Sequence, residues 1–278
     1  MRIDAHHHLW RYDAPSYPWI RDDMRVLRRD YLPADLEPVL AASRIDRTVL
    51  VQAQQTVEET RWLLDLADAH PAIAGVVGWA PLAAEAAPPI VEELAARSKL
   101  RGLRHILHDE ADDRYALRDD FNRGLSRLAA AGLVYDILIF ARHLPHAIAL
   151  VDRHPNQVFV LDHIGKPTVT AARFDEAWAR GVRALAERPH VSCKLSGVVT
   201  EVREAGWTPD LIRPYLDTAL EAFGPARLMF GTDWPVCLLR CGYGDWCAAV
   251  EAWLKALADD EQAAIMGGTA RSVYGLSV

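Results

Sequence analysis

Cysteine is scarce. The 278 residues hold four (Cys193, Cys237, Cys241, Cys247), and their spacing matches neither a disulfide framework nor a structural zinc knuckle. Long apolar runs are missing too, since none approaches the ~20 residues that span a bilayer; no membrane partner is expected. Positive charge is not in surplus: 31 Lys and Arg stand against 38 Asp and Glu, a net charge of −7. With no basic stripe either, nucleic acid is a poor partner. Residues 1–6 carry no apolar signal-like stretch, so reduced thiols and a cytoplasmic location are expected. No repeat, low-complexity tract or flexible linker interrupts the chain, and one domain over 1–278 is expected.

What is present is a core-forming composition, 51% apolar with 25% charged, too apolar and too balanced in charge for disorder. Short apolar runs rich in β-branched residues recur at 2–9, 47–53, 73–82, 101–107, 134–140, 158–163, 190–197 and 227–233. Several are apolar almost throughout, as in Val158-Phe159-Val160-Leu161, the pattern of a strand covered on both faces. Amphipathic helical segments alternate with them at 89–98, 119–131, 144–154, 174–187, 209–223 and 245–257. A further helix begins at a capping box, Thr56 with Glu59 reaching back, and stops before Pro71. Eight strands alternating with helices predict an α/β fold, a (β/α)8 TIM-type barrel. The competing doubly wound sheet wants a glycine-rich loop after its first strand, where this chain has three histidines and a tryptophan. A long aromatic loop from Leu9 to about Leu32 is placed by such a barrel over the C-terminal face, where active sites form.

Three strings carry chemistry. In Asp4-Ala5-His6-His7-His8-Leu9-Trp10, strand alternation sends His6 and His8 to one side and His7 to the other. Two imidazoles on one barrel strand need partners. In Leu161-Asp162-His163-Ile164-Gly165-Lys166-Pro167 an apolar strand ends on His163, and in Met229-Phe230-Gly231-Thr232-Asp233-Trp234-Pro235 the last strand ends on Asp233. Alone, each reads as a cap or turn residue. Together, four such groups on strands one, six and eight read as a catalytic rim.

These residues resemble the amidohydrolase superfamily, and the strings DHIGKP, CKLSG and GTDWPV resemble its lactonase-rich branch, from Ile3 to about Tyr274. The resemblance implies hydrolysis of a sugar-derived aldonolactone, of L-fucono, L-rhamnono or L-galactono type, to the sugar acid. Metal-dependent members carry a histidine on strand five; here that strand reads Val134-Tyr135-Asp136-Ile137-Leu138. Lactonases of this branch can work without a metal, so none is strictly required; if one divalent ion, such as zinc, binds, His6, His8, His163 and Asp233 are its ligands. Asp233 is then the general base for water. His6, His8 and His163 polarise the carbonyl, aided by Arg104 or His105. Arg104 and His105 are adjacent, so only one of them faces the interior. Lys194, Gln52, Trp10, Trp19 and Trp234 complete the expected substrate contacts, although Lys194 reads equally as half of an ion pair and the tryptophans as packing. A zinc-dependent decarboxylase and a non-catalytic sugar-acid-binding barrel are the competing functions. Oligomeric state, the identity of the lactone and its ring size are not legible.

Overall fold

The computed structural model describes residues 1–277. The chain runs through β1 (Ile3–His7), α1 (Pro33–Ser43), β2 (Arg47–Val51), α2 (Val57–Ala69), β3 (Ile73–Gly78), α3 (Ala87–Ala95), β4 (Leu100–Ile106) and α4 (Asp119–Leu125). It continues through β5 (Val134–Leu138), α5 (Leu144–Arg153), β6 (Phe159–Leu161), α6 (Glu176–Ala186), β7 (Val191–Leu195), α7 (Pro209–Phe223), β8 (Leu228–Phe230), α8 (Tyr243–Leu254), α9 (Asp259–Ala263) and α10 (Thr269–Val273). Eight strands pair in the order β1 to β8, each parallel to the next. Closure is made just past the end of β8, where His8 N donates to Trp234 O and Asp233 N donates to His6 O, both at 2.7 Å. The Asp4 carboxylate reinforces the seam: it accepts from Thr232 Oγ1 at 2.6 Å and from Tyr243 Oη of α8 at 2.9 Å. The result is the expected (β/α)8 barrel.

The helices bury their apolar stripes against the outside of the barrel, in one large cluster that includes Leu63, Leu103, Phe121, Trp178 and Trp246. A second, smaller cluster gathers Ile3, Ala5, Val49, Val51, Val77, Val134, Val160 and Met229 with Tyr274. This apolar layer lies between the strands and supports the polar groups at their C-terminal ends.

All eight strands stand where the apolar runs put them, though most are shorter than the runs, among them β6 and β8. These two stop at Leu161 and Phe230, so His163 and Asp233 lie in the βα-loops. The cause is backbone conformation: His163, Ile164, Lys166 and Asp233 have φ of 55°, 47°, 48° and 60°, in the left-handed region that no strand uses. Thr56 caps α2 as expected, accepting from Glu59 N at 3.1 Å. The Glu59 carboxylate does not complete the capping box; it accepts from Ala53 N and Gln54 N at 3.1 and 2.8 Å and pins the β2–α2 loop instead. Helix α1, with Pro38 inside it, has no amphipathic period that marks it in the sequence. The segment 119–131 is helical only to Leu125.

Candidate active site

The site begins with a bulge. From Asp4 to His7 the first strand advances three residues while its partner advances two, Thr48 to Leu50. Ile3 and Ala5 therefore join the inner apolar cluster and Asp4 turns to Tyr243 of α8, yet His6 and His8 both turn inward beyond the bulge. Their Nε2 atoms are 3.2 Å apart. His7 points away and bonds Thr48 Oγ1 at 2.9 Å, as alternation predicts.

His163 and Asp233 arrive from the loops after β6 and β8. Asp233 Oδ1 is 3.2 Å from His8 Nε2, 3.7 Å from His6 Nε2 and 4.0 Å from His163 Nε2. Ser196 Oγ holds His163 Nδ1 at 2.9 Å. A glycine is required beside it: Gly197 has φ of 64°, and a Cβ there would come within 2.5 Å of His163 Nδ1. Non-glycine residues at positive φ are costly and persist where surrounding structure holds them; here they deliver the two loop-borne groups.

Beneath these groups lies a buried ionic layer. Arg104 on β4 donates from Nη1 to Asp162 Oδ2 at 3.0 Å, stands 3.3 Å from His6 Nε2, and donates from Nη2 to the Gln52 carbonyl at 2.5 Å. Lys194 on β7 lies 3.0 Å from Asp162 Oδ1, 2.5 Å from Asp136 Oδ2 and 3.2 Å from His6 Nδ1. Tyr274 Oη reaches up from just past the end of α10 to donate to Asp136, at 2.8 Å from Oδ1. Two cations and two carboxylates thus neutralise one another out of water, which buried charge requires.

These surroundings set protonation. Burial, above all, keeps His6 well below the ordinary histidine value and takes His163 down to about 3, so both are neutral imidazoles. Burial pushes Asp233 up, but His163, His8 and Lys166 more than offset it, and its pKa falls below the usual carboxylate value. Asp233 is therefore a carboxylate at neutral pH. Asp162 is likewise driven well below the ordinary value, burial being outweighed by Lys194, His6 and Arg104. Asp136 rises to about 6, because burial and the charge of Asp162 outweigh the pull of Lys194.

A cavity of about 580 Å³ opens above the group, lined by His8, His163, Asp233 and Arg104 together with Trp19, Ile106, Phe140, His108, Lys166 and Glu201. Of the adjacent pair on β4 it is Arg104 that faces in. His105 points outward, taking the Trp79 Nε1 proton at 3.2 Å and lying 2.6 Å from Glu110, stacked on Tyr115; it does not line the cavity. Four further expected substrate contacts are corrected by burial. Lys194 is wholly enclosed among Asp136, Asp162 and His6, because a lumen-facing cation below the rim meets carboxylates before it can meet solvent. Gln52, also wholly buried, bonds Arg104 with both ends of its amide, at 3.3 and 3.4 Å. Trp10 packs edge-on to Trp19 and Tyr31 with its indole N–H on the Arg29 carbonyl, and Trp234 packs on Tyr31. Trp10 belongs to the aromatic plug in the loop after β1, Trp234 packs against that plug from the loop after β8, and only Trp19 of the three tryptophans reaches the cavity. The sequence reading passed over His108, Lys166 and Glu201. Lys166 sits in the Gly165-Lys166-Pro167 break, which is the one signal that could have drawn attention to it.

The donor set also fits a single divalent cation. His8 gives its Nδ1 proton to the Val51 carbonyl at 2.8 Å, because a carbonyl can only accept. With Nδ1 so engaged, Nε2 is the ring atom turned toward the Asp233 carboxylate, 3.2 Å away. A cation between the two would be held by both. One ligand atom from each of His6, His8 and Asp233 lies within 4.8 Å of the others, and the same is true of His6, Asp162 and His163. Strand five offers Asp136 instead of an imidazole, and Lys194 and Tyr274 already engage it.

Comparison with known proteins agrees with this architecture. The family model described as Amidohydrolase matches residues 3–276. An L-fucono-1,5-lactonase of Burkholderia multivorans is 46% identical, covering 99% of this chain and 96% of its own length. One from Burkholderia ambifaria is 40% identical, with coverages of 98% and 95%. A crystal structure of an amidohydrolase from Burkholderia multivorans with bound zinc, 46% identical, superimposes with a TM-score of 0.94 over 100% of both chains.

Proposed function

The chain belongs to the amidohydrolase family, and on that premise we propose that it is a lactonase that opens a sugar-derived 1,5-aldonolactone of the L-fucono type to the aldonic acid. The observation that carries this reading is the convergence of an ionised carboxylate, neutral imidazoles and a guanidinium at the floor of a cavity of about 580 Å³. The lactonases of Burkholderia, at 46% and 40% identity, supply the substrate class.

The chemistry follows from the side chains. Asp233 takes a proton from water as the water oxygen attacks the lactone carbonyl. Negative charge gathers on the carbonyl oxygen, where Arg104 is the cationic donor. A donor fixed before reaction stabilises an oxyanion strongly, and Asp162 and Gln52 fix this guanidinium. His163, steered by Ser196, and His8 orient the water and the carbonyl, while His6, wholly buried, braces His8 from behind at 3.2 Å. When the tetrahedral intermediate collapses, the ring C–O bond breaks and the proton held by Asp233 passes to the leaving alkoxide. The aldonic acid then ionises, and Asp233 is again a carboxylate. A divalent ion held by His6, His8 and Asp233, with His163 in reach, would add Lewis-acid polarisation of the carbonyl.

The test is hydrolysis of L-fucono-, L-galactono- and L-rhamnonolactones by chelator-treated, metal-analysed protein, followed with a pH indicator. Undiminished turnover assigns the reaction to the side chains alone. Loss that zinc restores makes His6, His8 and Asp233 ligands. Failure to open any lactone, with or without metal, overturns the reading.

A further inference from the structure

Lys166 lines the cavity but takes no proton and holds no reacting atom in the reaction derived above. Lys166 ends a left-handed run in which φ is 55° at His163, 47° at Ile164, 75° at Gly165 and 48° at Lys166. Three of those four residues carry side chains that this conformation disfavours, so the run is held from outside. Trp178 Nε1 donates to the Ile164 carbonyl at 2.6 Å, and Lys166 N donates to the His163 carbonyl at 2.9 Å. This coil sets the lysine on the cavity wall together with His163 and Asp233.

The Lys166 ammonium has three N–H donors and gives one to Glu201 Oε1 at 3.2 Å. The face of Phe140 lies 5.6 Å from it. Glu201 also lines the cavity and is buried, with 5% of its surface exposed. Its other oxygen, Oε2, has Arg203 at 3.8 Å, beyond hydrogen-bond distance. The pair therefore keeps donors and an acceptor oxygen uncommitted on the cavity wall.

We propose that Lys166 and Glu201 form the subsite that reads the substrate's hydroxyl groups, the carboxylate accepting from one hydroxyl and the ammonium donating to the oxygen of its neighbour. This assignment rests on the lactonase reading and deepens it. A site built to hydrogen-bond a hydroxyl discriminates strongly against an analogue that lacks it, because its own polar groups are then left unpaired. The pair therefore selects polyhydroxylated lactones over bare rings.

The test compares kcat/KM for a polyhydroxylated 1,5-lactone of the L-fucono type with that for δ-valerolactone, the same ring without hydroxyls. The full chain is used, as wild type, Lys166→Met, Lys166→Arg and Glu201→Gln, each checked for folding by circular dichroism. The expected result is that the preference for the hydroxylated ring falls at least ~10-fold in Lys166→Met and in Glu201→Gln, mainly through KM, with partial recovery in Lys166→Arg. A preference unchanged in both folded variants overturns the assignment, and so does an equal loss on both lactones. If wild type opens neither ring, the lactonase reading itself fails and the subsite falls with it; wild-type turnover with unaltered preference in the variants sinks the subsite alone.

Discussion

Asp233→Asn separates the chemistry of Asp233 from its structural part. The residue sits at φ of 60°, and Asn tolerates that conformation about as well as Asp does. Its backbone bonds, N to the His6 carbonyl at 2.7 Å and O from Cys237 N at 2.9 Å, are untouched by the substitution. The new amide, which can both donate and accept, keeps a hydrogen bond to His8 Nε2, now 3.2 Å from Oδ1. Fold stability should therefore hold while the general base is gone, a loss of about 10²- to 10⁴-fold in kcat. Asp233→Ala loses the same base but adds about 1 kcal/mol for an alanine at positive φ, so it should melt about 2 °C or more below Asp233→Asn. Lactone turnover with a pH indicator, beside thermal unfolding of the three proteins, measures both effects. Asp233→Asn with activity within about tenfold of wild type would refute the assignment of the base. Equal melting temperatures for the two variants would refute the conformational argument.

Two further outcomes are expected. Arg104→Met removes one of two cations facing Asp162, leaving Lys194 at 3.0 Å. Turnover should fall by about 10²- to 10³-fold through loss of the oxyanion donor, and stability by about 3 kcal/mol through the broken buried pair; urea unfolding and kinetics report these separately, and unchanged turnover would return Arg104 to a purely structural role. His7 is buried, and burial depresses its pKa to about 3. The unfolded chain then binds a proton near pH 6.5 that the folded chain refuses, so this contribution is intact above pH 6.5 and is lost as pH falls toward 3. The stability advantage of wild type over His7→Gln should shrink by about 1.4 kcal/mol per pH unit below 6.5. A pH-independent difference in chemical denaturation would contradict it.

How far the sequence carries the site can be judged residue by residue. The barrel was legible because its signals are local: apolar runs mark strands, helical periods mark their covers, and their alternation leaves little besides a (β/α)8 arrangement. His6 and His8 were legible because strand alternation sets which neighbours share a face, and His163 and Asp233 because each ends an apolar run. The family and its lactonase branch were legible from DHIGKP, CKLSG and GTDWPV taken together, and the comparisons bear them out. Helix α1 was not legible, because no periodic stripe marks it.

Which polar groups meet was decided only by the tertiary structure. A bulge in β1 sends Asp4 outward and both His6 and His8 inward, against simple alternation over the whole strand. Arg104 and His105 are equivalent on paper; the pleat of β4 puts one over Asp162 and the other against Trp79. Lys194 on β7 and Gln52, just past the end of β2, point at the lumen, where carboxylates and Arg104 claim them. Lys166 enters the cavity only because four successive residues take positive φ. Sequence alone determined the pattern of burial, because hydrophobic periodicity is a property of neighbours along the chain. Partners of buried charge were fixed by closure of the barrel, which brings β1 beside β8 and sets groups more than 200 residues apart, such as His8 and Asp233, within hydrogen-bond distance.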